Sequence, residues 1–280
     1  MSPVVRSGAA ARAGALLILL GPLVSWTAEF VTAAAWQDPP YSPLHNWVSH
    51  LGLTGPPQTA FGQVANSPLG AVMDTGWVVY GVLLIVGAFL VFDPRKGVRP
   101  ALVLVLAVLA GTGVSLVGIF QGSNANVDNG LIVFHTLGAQ GVMLSGNVMA
   151  IVVGSAGARI GLSRGRSLAS VALGTAGLLA FPLFMADVLT GWMWNVGMFE
   201  RAVIYPIMIG HALLGSSLAA AQRHRATRPL MPHDTRLASS GDTHDTSSGH
   251  RRDGLHRELV RARPPRRRAH RPHHRPQPAA

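Results

Sequence analysis

Tyr41-Ser42-Pro43-Leu44-His45-Asn46-Trp47-Val48-Ser49-His50-Leu51-Gly52 is polar and aromatic, carries no Lys or Arg, and lies between two long apolar runs. The runs on either side, about 13–35 and 68–92, have the ~20 residues that a helix needs to cross a ~30 Å hydrocarbon core. Further out, the pattern repeats over about 100–120, 131–153, 168–189 and 202–221. The spacing predicts an all-α fold, a polytopic bundle of six transmembrane helices over residues 1–221. Composition agrees, since only 12% of the residues are charged, against ~25% in an ordinary soluble domain. There are no cysteines, which excludes disulfides, thiolate metal sites and Cys nucleophiles.

Charge sets the expected orientation. The N-terminus, 93–99, 154–167 and the tail hold every Lys and Arg but one, whereas 36–67, 121–130 and 190–202 hold only Arg201. Basic short loops stay in the cytoplasm. Both termini are therefore expected there, in a bacterial inner membrane, with the 41–52 loop on the outer side. Trp26, Trp36, Trp47, Trp77, Trp192 and Trp194 all fall toward that side, as an interfacial aromatic belt would. Residues 222–280 carry fourteen Arg against five acids and show no apolar periodicity. They read as a disordered basic tail that can touch lipid headgroups. The tail has no stacking aromatics, so no nucleic-acid partner is expected.

Ionisable groups at membrane depth are costly and mark candidate sites. Here they are Glu29, Asp74, His135, Asp187, Glu200, Arg201 and His211. On the six-span topology they collect in the outer half, beneath His45, Ser49 and His50. Three readings follow. His135, His211 and Asp187 (or Asp74) supply the N/O ligand types of a catalytic zinc with an open water position. Such a membrane-embedded lipid hydrolase or transferase would use Ser49 or a metal-bound water as attacker, with Ser49, His50 and Asp74 as the catalytic candidates. In a second reading, the outer side binds a lipid or small ligand through His45, Trp47, Glu200 and Arg201, or forms the pathway of a small transporter. In the third, the same groups pair with one another and with loop backbone to lid the bundle. Glu200 and Arg201 are sequence neighbours, so they face different partners on a helix. Gln140 and Asn147 share one face of the fourth span and suit interhelical hydrogen bonds.

Four short motifs carry a resemblance. They are Gly21-Pro22, the 41–52 loop with Val48-Ser49-His50-Leu51-Gly52, Asp128-Asn129-Gly130 with His135, and Phe199-Glu200-Arg201 with Tyr205. Over about residues 14–221 the chain resembles a bacterial and archaeal integral-membrane family known as domain of unknown function nine-nine-eight. It is also distantly similar to the Frag1/DRAM/Sfk1 group. The resemblance implies a six-helix bundle with its motifs on one side, and it implies no activity. Where that family often has an acidic residue or Ser after Ser49, this chain has His50.

Overall fold

Residues 5–226 are described by the computed structural model, so the expectation for the tail lies almost wholly outside the described residues. Six helices are long and apolar enough to cross a membrane. They are α1 (Ala9–Ala35), α2 (Gly70–Val91), α3 (Val98–Ile119), α5 (Ile132–Ala156), α6 (Arg164–Thr190) and α7 (Val196–Ala226), with the short α4 (Asn124–Asp128) between α3 and α5. The fold is an all-α, polytopic bundle. Turn chemistry bounds α2 and α6. Asp93 and Pro94 follow α2, the Ser163 hydroxyl caps the start of α6, and Gly191 in the left-handed region closes its end.

The spans form a closed ring in chain order, α1–α2–α3–α5–α6–α7 and back to α1. Small residues permit the close crossings in it. A Cβ on Gly113 would lie 2.6 Å from the Gly138 carbonyl oxygen, so α3 and α5 meet backbone on backbone. Six spans return the chain to its starting end. There the Arg6 N–H bonds the Val91 carbonyl at 2.9 Å, and the Gln222 amide bonds the Arg6 carbonyl at 2.8 Å. Arg12, Arg95, Lys96, Arg99, Arg159, Arg164 and Arg166 belong to this basic end.

The opposite end is a built cap rather than a slack loop. Ser49–Gly52 form a 3-10 turn. β1 (Gln58–Ala60) and β2 (Gln63–Ala65) form an antiparallel hairpin with Thr59 opposite Val64. Asn124, at the start of α4, bonds Gln58 and the Thr59 carbonyl, which ties the two loops together.

Four expectations need adjustment. α7 begins at Val196, so Glu200 and Arg201 lie within its second turn and not in a loop. A helix tolerates those charges because each has a dedicated partner. α2 begins at Gly70, two residues later than the Asn66-Ser67-Pro68 signal suggests, because the Ser67 hydroxyl donates to the Leu51 carbonyl (2.7 Å) instead of capping the helix. Trp36, Trp47 and Trp77 are buried, while Trp192 and Trp194 stack on each other in the open. Finally, His211 is fifteen residues into α7, or roughly 22 Å at 1.5 Å per residue, which is the middle of the helix and not its outer half.

Candidate functional site

The cap is held by Arg201. Gly197, Arg201 and Tyr205 recur every four residues along α7 and therefore share one face. That face meets α1 and the loop. The Arg201 Nε donates to Glu29 Oε1 at 3.0 Å, and the pair forms a buried salt bridge. Nη1 donates to the carbonyls of Pro43 (2.7 Å), Asn46 (3.2 Å) and Gly197 (3.1 Å). Nη2 donates to the Tyr41 hydroxyl, and Tyr205 donates to Glu29 at 2.9 Å. All three guanidinium nitrogens are thus spent on fixing 41–46 against the bundle. Burial pushes the Tyr41 phenol above its usual value, against the pull of Arg201. Gly197 makes the approach possible, because a Cβ there would occupy the space of the Asn46 and Pro43 carbonyls.

Glu200, about 100° round the helix from Arg201, faces the next part of the loop. Its Oε2 accepts the Val48 N–H at 2.6 Å, and the Ser49 N–H also faces it, so the carboxylate caps the 3-10 turn. Within the turn His50 is fully buried, with neither ring nitrogen partnered. Its ring stacks on Phe61 (6.3 Å, 22°) and packs near Trp47 (6.0 Å). Burial, and then the proximity of His135, push its pKa down to about 4. Asp74 supports the far side. Its Oδ2 accepts from Gln121 at 2.6 Å, and Gln121 also bonds Thr54.

Two cavities adjoin beneath this turn and share Ser49, His135 and Glu200 in their walls. The inner one, of about 60 Å3, runs down past Ser25, Trp77 and Tyr80. It exceeds the ~10–15 Å3 that a water needs. The outer one, of about 170 Å3, lies between α5 and α6 and is walled by Trp47, Phe61, Phe184, Met143, Met185 and Met193. His135 donates Nδ1–H to the Phe120 carbonyl (2.7 Å), which leaves the neutral ring a lone pair on Nε2. Among the described residues only Phe61 (φ 47°) and Met193 (φ 51°) adopt positive φ without being glycine. Both line the outer cavity. Left-handed backbone disfavours bulky residues, and such strain concentrates at functional sites.

A family model described as "Protein of unknown function (DUF998)" matches residues 19–217. The chain belongs to the DUF998 family. No curated protein and no solved structure matches it. The DUF998 match takes in the whole cap, its clasp and both cavities, and so includes every sequence-predicted site residue.

Within this DUF998 fold the predicted residues separate into groups. Ser49, Trp47, Glu200 and His135 come together around the cavities. His50, in the turn, and Asp74, behind it, line neither cavity. Arg201 is consumed by the clasp, and His45 donates Nδ1–H to the Trp194 carbonyl at 2.7 Å as an exposed strap. The zinc trio is not brought together. His211 Nδ1 bonds the Tyr80 hydroxyl at 2.7 Å, His135 bonds Phe120, and Asp187 is buried on α6. Among the described residues no three His, Asp or Glu side chains gather as a metal ligand set. Asn147 makes the expected interhelical bond, donating to the Val203 carbonyl at 3.1 Å. Sequence reading missed Tyr80, Phe61 and Met193. Tyr80 had no charge to flag it, and the other two stand where a turn signal would be Asn or Gly.

Proposed function

We propose that the protein is a ligand-binding membrane protein whose capped, outer-facing pocket takes a small amphiphile, such as a lipid headgroup with the start of its chain. The adjoining cavities carry this reading. Ser49, His135 and Glu200 form a polar floor. Aromatic and Met side chains form the apolar wall, as in ligand sites generally. The cavity lies between α5 and α6, where Thr136 is exposed. Strain at Phe61 and Met193 supports it independently.

Ala139 lines both cavities, so Ala139→Trp fills them. Native mass spectrometry of protein purified in mild detergent should show a bound amphiphile on wild type and none on Ala139→Trp at similar melting temperature. Equal lipid retention by the two proteins counts against the pocket.

A second reading draws on His135. Its Nδ1–H is oriented by a carbonyl, with Nε2 available and Ser49 on the same walls, an arrangement that suits a general base serving a hydroxyl nucleophile. Labelling by a fluorophosphonate probe that is lost in Ser49→Ala and in His135→Gln would favour a hydrolase. An unlabelled wild-type protein removes this second reading.

A further inference from the structure

The outer cavity combines three aromatic rings with one acid. Trp47 packs edge-on to Phe184 at 5.7 Å and tilted against Phe61 at 6.1 Å, so the rings make one corner of the wall. Glu200 is the only charged residue of the lining apart from the titratable His135, which is tied to Phe120. The acid is buried, with 6% of its surface exposed, and it makes no ion pair among the described residues. The neighbouring guanidinium is committed to Glu29.

Arg201 reaches Glu200 only through its field, since its nitrogens bond Glu29, Tyr41 and backbone carbonyls, so a cation brought directly to the buried carboxylate still offsets part of its desolvation cost. Aromatic faces attract organic cations electrostatically, most strongly when the cation is desolvated. Met143, Met185 and Met193 add polarizable walls. The lining holds no Lys or Arg to repel a cation or to pair with a phosphate. The strained backbone at Phe61 keeps one of the three rings on the hairpin tip, over the corner.

We infer that the outer cavity is a site for an organic ammonium group, substituted or quaternary, held between the Trp47, Phe61 and Phe184 rings with Glu200 as its counter-ion. The inference rests on the ligand-binding reading above and specifies its guest. A free cation such as choline and the ammonium head of a lipid present the same chemistry.

The test uses the full chain in nanodiscs of phosphatidylglycerol, which has no ammonium group. Three probes are titrated by calorimetry: choline, its uncharged carbon isostere 3,3-dimethylbutan-1-ol, and phosphatidylcholine added to the discs. Choline should bind at least about tenfold tighter than the isostere. Glu200→Gln, whose amide oxygen still accepts from Val48, should abolish that preference. Phe61→Leu, at an exposed hairpin tip, removes one ring and keeps an apolar side chain against His50 and Trp47, and should weaken choline more than the isostere. Should only phosphatidylcholine bind, with the same dependence on Glu200 and Phe61, the site is one for a lipid head, and the inference holds. Equal affinity for choline and the isostere, or full preference in Glu200→Gln, overturns the ammonium assignment and leaves the pocket reading intact. If no probe binds and wild type and Ala139→Trp retain the same lipid, both readings fall.

Discussion

At the level of single residues, the cap depends on Arg201. Removing one partner of a buried, hydrogen-bonded ion pair costs roughly 3–5 kcal/mol. Arg201→Gln should therefore lower stability by about that much, read as a fall in melting temperature in detergent and as new protease sensitivity at 41–46. Arg201→Lys should fail similarly, because one ammonium cannot span Glu29, Tyr41 and three carbonyls. Adding Glu29→Gln to Arg201→Gln should recover part of the loss, since it removes the orphaned carboxylate. His50 gives a pH prediction. Its folded pKa of about 4 lies below the ordinary 6.5, so the docked loop resists protonation and the undocked loop does not. Docking is thus strongest above pH 6.5 and weakens as pH falls toward 4. The slope limit is 1.36 kcal/mol per pH unit, or about 3 kcal/mol in all. The ionisable groups around the turn are His135 on α5, Asp74 on α2 and Glu200 on α7. Protease cleavage of the loop should rise over this window in wild type, and His50→Phe should flatten the rise. Arg201 and Glu200 were legible as out-of-place charges, but Glu29 as partner was not, because it is 172 residues away in the chain.

Among the elements, Gly197 decides how the loop and α7 fit together. Gly197→Ala pushes a methyl group into the Pro43 and Asn46 carbonyls and should lift the loop at a cost of about 1–3 kcal/mol, as overpacking does. The native chain has no cysteine, so a single Ser42→Cys reports the change as faster thiol labelling in the Gly197→Ala background. The apolar runs foretold six helices long enough to span, because lipid leaves a spanning backbone little alternative to a helix. The sixth, expected at 202, starts at Val196, since an acid and an arginine within one turn look like loop chemistry until their partners are known. The hairpin was illegible for a different reason. Its strands are three residues long, and Phe61 stands at a turn position that sequence rules give to Asn, Asp or Gly. Residues that serve a cavity at the expense of local preference are the ones that local rules misread.

For the whole molecule, the ring of six antiparallel spans puts residues 6, 91 and 222 at one end and the cap at the other. That parity was readable in the apolar runs. The basic loops predict an orientation, and reporter fusions test it: signals at 55 and 125 should be extracytoplasmic and at 95 cytoplasmic. An inward signal at 55 would invert the molecule and place the pocket on the other face. The clasp also constrains the order of assembly. Glu29 is synthesised with the first helix and Arg201 with the last, so a nascent chain carries an unmatched acid in its first span, and an undocked loop, until translation is nearly complete. A chain that stops before α7 therefore leaves Glu29 without its guanidinium partner and the Tyr41, Pro43 and Asn46 segment without the donors that hold it down.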